Sequence, residues 1–179
     1  NLFATSPTFF LKRIVKMADT LSLSQRPDDP RRILFAIASL ARGGAEAQLC
    51  YLASHLQSRN WEVHVAYMSI VTSSEQNLDR LHRAGVQIHR LNATSNIDPR
   101  IALQLHRLIR STRPSIVQTW LPMMDIVGGL VALLNRVPWI ISERNAEPLN
   151  PSSPKGRFRR WLGRSAKAIV ANSPAGLEL

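Results

Sequence analysis

The run "RRILFAIASLARGGAEAQLC" (31–50) sets Gly43 and Gly44 between an apolar segment of strand character and the start of a helical pattern, with Glu46 two residues further on. Glycines placed there let a ligand approach the backbone closely and leave the helix's first N–H groups free to bind an anion. The other reading is a tight turn and nothing more. Glu46 falls in the first helical turn, where the macrodipole favours a carboxylate, so its default role is structural. A dinucleotide fingerprint would need G-x-G-x-x-G and an acidic residue closing the second strand. Here the glycines are adjacent and the second apolar run ends in "YMSI", which disfavours a nicotinamide or flavin site.

Three further stretches carry reactive or recognition groups. "SERNAE" (142–147) gathers Glu143, Arg144, Asn145 and Glu147 just after an apolar strand. Arg144 has the geometry to hold a phosphate bidentately, and Glu143 can serve as acceptor or base. A loop salt bridge is the plainer alternative. "QTWLPMMD" (118–125) brings Thr119, Trp120 and Asp125 to another strand end; the indole either faces a sugar or packs against the neighbouring loop. "PKGRFRRWLGRSAK" (154–167) holds six cations around Phe158, Trp161 and Leu162. That spacing makes one apolar face with Arg157, Arg160 and Arg164 as a basic rim, either a membrane-surface helix or a sheet-packing helix with solvated arginines. No nucleic-acid recognition motif accompanies it, so nucleic acid is disfavoured. His55, His64, His82, His89 and His106 are scattered without metal-ligand spacing to an acidic partner, and no G-x-S-x-G elbow occurs. No metal or catalytic histidine is assigned.

These residues are positioned by a regular alternation. Strands are expected at 33–40, 61–70, 86–91, 115–121, 138–143 and 168–172, and helices at 45–58, 74–85, 98–113, 123–135 and 155–165. Ser74 and Asp98 are candidate caps, Gly85 a helix stop, and Pro99 suits a first helical turn. Gly128 and Gly129 inside a helix suggest close packing on the sheet. Near-continuous apolar strands between helices predict an α/β fold: one Rossmann-like, doubly wound parallel sheet, with ligands gathered at the carboxyl ends of its strands.

The chain has 179 residues, 45% hydrophobic and 20% charged, enough for one domain with a real core. Its 23 Lys and Arg against 12 Asp and Glu give a net charge of +11, which calls for anionic company: phosphorylated ligands, nucleic acid or an acidic lipid surface. Cys50, the single cysteine, excludes an intrachain disulfide, sits at helical spacing among apolar residues, and fits a reducing compartment. Residues 1–31 read as a disordered or non-native lead-in, with Met17 a possible start. The longest apolar run, "MMDIVGGLVALL", falls short of the roughly 18 residues a spanning helix needs.

Taken in order, "LARGGAEAQLCYLASHLQSRNWEVHVAYM", "RPSIVQTWLPMMDIVGGLVALLNRVPWIISERN" and "AKAIVANS" resemble the amino-terminal domain of retaining GT-B glycosyltransferases of the family 4 type. The resemblance spans roughly residues 32–173. It implies an acceptor-side domain over 32–179, ending before the donor-binding domain with its paired glutamates. It places Gly43 and Gly44 near the donor diphosphate, and Glu46, Thr119, Trp120, Glu143, Arg144, Asn145 and Ser173 on the cleft. Many relatives have histidines around the fourth strand end, where this chain has Gln118 and Trp120, so no catalytic residue is carried over. The partners implied are a nucleotide-sugar donor, as substrate and not cofactor, and a glycan or lipid-linked acceptor in cell-surface polysaccharide synthesis. A cytoplasmic protein, peripheral at the inner face of an anionic plasma membrane, is expected. The fragment alone is expected to be inactive. A non-catalytic basic module for nucleic acid or phosphorylated ligands is the rival reading.

Overall fold

The computed structural model describes residues 31–68, 74–143 and 153–171; the lead-in up to residue 30, with Met17, and Arg144, Asn145, Glu147 and Ser173 lie outside the described residues. Six strands and five helices alternate among them: β1 (Arg32–Ile37), α1 (Gly44–Gln57), β2 (Glu62–Met68), α2 (Glu75–Arg83), β3 (Gln87–Leu91), α3 (Arg100–Thr112), β4 (Ile116–Trp120), α4 (Pro122–Leu134), β5 (Trp139–Glu143), α5 (Pro154–Gly163) and β6 (Ala168–Ala171). The strands form one sheet in the order β3-β2-β1-β4-β5-β6, every neighbouring pair parallel. This is the Rossmann-like, doubly wound sheet expected of the sequence.

Alternation along each strand sorts the core into two layers. Ile33, Phe35 and Ile37 of β1, with Val63 and Val65 of β2, meet Leu49, Leu52 and Leu56 of α1 and Leu81 of α2. Leu34 and Ala36, one residue out of phase, face the other way. They join Ile101, Leu105 and Ile109 of α3, Met124 and Val131 of α4, and Leu162 of α5. Both faces of the central strands are therefore covered, which explains their near-continuous apolar sequence.

Local chemistry sets the element ends. Gly85 has φ +76° just past α2, the left-handed conformation that stops a helix. Ser74 occupies the cap position of α2, but its hydroxyl makes no cap bond. Asp98 does what was expected of it: its carboxylate accepts from the Arg100 backbone N–H at 3.0 Å and the Thr94 N–H at 2.9 Å. The Arg100 guanidinium beside it holds its pKa far below the usual carboxylate range, with those backbone bonds adding to the effect. In α4, a Cβ on Gly129 would lie 2.5 Å from the Trp139 ring and one on Gly128 2.9 Å from Thr119 Cγ2. Glycine at these positions lets α4 sit directly on the sheet. Cys50 is fully buried, and burial pushes its thiol up to about 11.

Candidate functional site at the carboxyl ends of the strands

From β1 the chain winds outward through β2 to β3, then crosses to β4 on the other side of β1. The strand order therefore reverses between β1 and β4, and the crevice beyond their carboxyl ends is where such sheets take ligands. Two helices start there, α1 after β1 and α4 after β4. Their 14 and 13 residues bring two positive macrodipole ends toward the same edge.

Gly43 is extended (φ −161°, ψ 163°), a conformation any residue adopts, and it caps α1 by accepting the Ala47 N–H at 3.0 Å. A Cβ on Gly44 would meet nothing within 4 Å. The atoms nearest a Cβ on Gly43 would be those of the Glu46 carboxylate, the movable end of a side chain that folds back over the turn. Ser39 holds that carboxylate from the other side, its hydroxyl donating to Oε1 at 3.0 Å. Gly44 is thus not demanded by the chain's own backbone or packing, and it leaves an open approach to the helix N-terminus; Gly43 makes room for the Glu46 carboxylate that Ser39 holds. The turn is pinned from beneath by Asn77 of α2, whose amide donates to the Leu40 and Ala41 carbonyls at 3.2 and 2.8 Å. Asn77 was not legible as a site residue; a buried asparagine on an otherwise polar helix was its only signal.

Across the crevice, Leu121 leaves β4 at φ +71° and ψ 145°, a region that costs a residue with a Cβ of order 1–3 kcal/mol. Proline at position 122 and the Asp125 N–H, which donates to the Leu121 carbonyl at 3.1 Å, hold it there. Strain of this kind concentrates at ligand sites, and a leucine ahead of a proline carries no signal of it.

Thr119, Trp120 and Glu143 are placed below the surface of this edge. Trp120 is fully buried on the α1 side, edge-on to Phe35 with ring centroids 6.4 Å apart. Its indole packs in the core and offers no face to a sugar. Thr119 and Glu143 are brought together on the opposite face by a residue not singled out in the sequence, Arg159 of α5. Arg159 Nε donates to Asp125 Oδ2 at 2.8 Å, and a terminal nitrogen reaches Asp125 at 2.6 Å and Glu143 Oε2 at 2.5 Å. Thr119 Oγ1 donates to Asp125 Oδ1 at 2.6 Å. All four residues are buried. Burial raises Asp125 to about 6, with the Arg159 charge and the Thr119 hydroxyl opposing that rise. Glu143 is accordingly a partner in an ion cluster that ties the end of β5 to α4 and α5.

Arg159 was expected among solvated arginines, and the correction follows from the phase of α5. The helix turns Gly156, Arg159 and Leu162 inward, which leaves Phe158 and Trp161 outside, stacked on each other at 5.6 Å. The helix packs on the sheet, as one alternative had it, but through Leu162 and without the two aromatics. Arg157, Arg160 and Arg164 are exposed beside them, as the basic rim was expected to be.

The model of Glycosyltransferase Family 4 matches residues 42–178. The chain belongs to glycosyltransferase family 4. Among solved structures, this family 4 chain is similar to HepE from Anabaena, solved in complex with UDP (19% identity, TM-score 0.64, covering 81% of this chain and 38% of that one). It is also similar to MurG from Acinetobacter baumannii (20% identity, TM-score 0.58, 81% and 42%) and to a UDP-GlcNAc 2-epimerase from Neisseria meningitidis bound to UDP-GlcNAc (16%, 0.57, 76% and 39%). At these identities the likeness establishes the GT-B-type fold of the family 4 domain. The chain spans about two fifths of the length of these structures. No curated protein matches it.

Proposed function

We propose that the chain is the amino-terminal, acceptor-side domain of a retaining two-domain glycosyltransferase. That enzyme moves a hexosyl unit from a nucleotide sugar to a glycan or lipid-linked acceptor of a cell-surface polysaccharide. The observation that carries the reading is the open Gly44 position in the Gly43–Gly44 turn, at the switch point of a family 4 sheet, where the fold itself does not require that glycine. In sugar transfer the bond from the anomeric carbon to the diphosphate oxygen breaks, and negative charge grows on the departing diphosphate. Backbone N–H groups and a helix dipole fixed in place stabilise such charge without reorganising. The nucleotide that HepE holds is UDP, and a uridine diphosphate sugar is the first donor to test.

In this reading Gly43 and Gly44 lie against the diphosphate, and Glu46, held by Ser39, orders the turn. Thr119, Trp120 and Glu143 shape the acceptor wall from beneath. Arg144, Asn145 and Ser173 complete it as direct contacts, and a second domain supplies most of the donor site. The protein works at the cytoplasmic face of a membrane that presents the acceptor. The test joins the chain to its downstream coding region and measures transfer from a labelled uridine diphosphate sugar. Gly44→Ala should cut turnover while the isolated domain stays folded; unchanged turnover would remove the diphosphate assignment, and turnover by the 179 residues alone would overturn the half-enzyme reading.

A further inference from the structure

The charges of this chain are segregated by layer. From Pro99 onward, the acidic residues among the described ones are Asp125 and Glu143, and both are buried in the Arg159 cluster. The outer surface of the α3–α4–α5 layer therefore carries cations without a single described exposed carboxylate. Arg107 and Arg110 of α3, and Arg157 of α5 with Arg164 just past its end, are exposed on its two sides. Glu46, Glu62, Glu75 and Asp79 belong to α1, β2 and α2.

Between those cationic flanks lies α4, which contains no lysine or arginine. Its solvent side shows Leu130, Leu133 and Leu134, the last 72% exposed. Phe158 and Trp161 of α5 are exposed next to it, Trp161 at 63%, and Leu103 of α3 is half exposed on the other side. The layer is thus an apolar strip with basic margins, built from three helices packed on one sheet face. Large apolar side chains exposed together on neighbouring helices and bordered by charge mark an interaction surface. A helix with basic margins and exposed Trp, Phe and Leu suits the boundary of an anionic bilayer, where rings and leucines bury among acyl chains while arginines pair with headgroups. Nucleic acid would use the arginines but has no place for three leucines.

We infer that the whole α3–α4–α5 layer, with α4 at its centre, is a docking surface for an anionic lipid bilayer. This deepens the membrane part of the proposed function by naming the surface and its geometry, and it does not depend on sugar transfer. Helices of this layer run along the strands, so the bound sheet lies flat against the bilayer. The carboxyl-end crevice then opens sideways along the membrane, within reach of an acceptor whose head stands in the interface.

The experiment is flotation of the full chain with vesicles of phosphatidylcholine alone or mixed with phosphatidylglycerol, with circular dichroism as the folding control. Binding to the mixed vesicles, weak binding to phosphatidylcholine alone, and loss of binding at high salt are expected. Arg157→Gln with Arg164→Gln should weaken binding on the order of tenfold or more. The decisive variant is Leu130→Asn with Leu134→Asn, which leaves the net charge unchanged and lies outside the candidate site; it should weaken vesicle binding several-fold while retention on DNA stays unchanged. Equal binding to both vesicle types, or an unaltered affinity of the leucine variant, would overturn the inference. Tighter retention on DNA than on the mixed vesicles would assign the basic margins to nucleic acid instead. None of these outcomes bears on the transfer assay, so the two readings fail separately.

Discussion

Replacing Arg159 by methionine removes the cation from a cluster of one guanidinium and two buried carboxylates. The side chains of Arg159, Asp125 and Glu143 are 4%, 0% and 5% exposed, so water can do little to compensate. Breaking a buried ion pair from one side typically costs 3–5 kcal/mol, because the uncompensated charge stays in the interior. For a domain of this size each kcal/mol moves the melting temperature by about 2–4 °C, so a fall of roughly 6–20 °C is expected at neutral pH. The pH dependence gives the mechanism its signature. Burial already raises Asp125 to about 6 with Arg159 in place. Without the guanidinium the folded-state value must rise further, above that of the unfolded chain. A carboxyl raised on folding is least costly when protonated, so the variant keeps most stability below the unfolded carboxylate pKa and loses it as pH rises through the folded value. The gap between wild type and Arg159→Met should accordingly narrow from neutral pH toward pH of about 5. Urea unfolding at both pH values measures it, and Arg159→Lys, which keeps the charge but not the fork, should fall between the two. A loss under about 1 kcal/mol, or one equal at both pH values, would refute the argument that Arg159 neutralises buried charge.

Gly129→Ala puts a Cβ 2.5 Å from the rigid Trp139 ring and should destabilise by about 1–3 kcal/mol in denaturant unfolding. Gly44→Ala meets open space and should be neutral or stabilising by up to about 1 kcal/mol, the ordinary gain of alanine over glycine in a helix. The Cys50 thiol, raised to about 11 by burial, should react with a disulfide reagent at mildly alkaline pH only as fast as the protein opens, and promptly in denaturant. His64 and His89 share a hydrogen bond of 3.1 Å between ring nitrogens, and burial lowers both pKa values. Their imidazole protons should titrate below the free value of about 6.5 by NMR, and the stability they confer, complete above that value, should drain away as pH falls beneath it.

The helix and strand pattern was legible because burial on two faces imposes itself on composition: β1 and β2 are apolar over most of their length, and α3 repeats Ile101, Leu105 and Ile109 on one stripe. Where a boundary slipped, burial had outlasted pairing. The strand expected to reach residue 40 ends at Ile37, the last position paired with Trp120, yet Ser39 and Leu40 remain buried in the loop beyond it. Apolarity marks the interior and does not mark the hydrogen-bond ladder. Of the site, the glycine turn was legible because it is local, a matter of residue types next to one another. The Arg159 cluster was not, since its members lie at positions 119, 125, 143 and 159 and meet only through the phase of α5 and the stacking of α4 on β4 and β5.

That phase is what links the candidate site to the proposed docking surface. Because Arg159 is drawn inward to Asp125 and Glu143, its neighbours one position back and two positions ahead are turned outward, and these are Phe158 and Trp161. The ion cluster under the crevice and the aromatic pair on the outer surface are therefore two consequences of a single helix rotation. If α5 were rotated to bury its aromatics, as hydrophobicity alone would favour, Asp125 would lose its guanidinium partner in the core, at a cost of several kcal/mol. The buried charge outweighs the exposed rings, and the strain of holding Phe158 and Trp161 in water is relieved wherever an apolar phase covers them. An Arg159→Met variant tests this coupling as well: by freeing α5 to turn its aromatics inward it should lower vesicle binding together with stability, and intact vesicle binding by a folded Arg159→Met protein would show that the helix is held in phase by its other contacts.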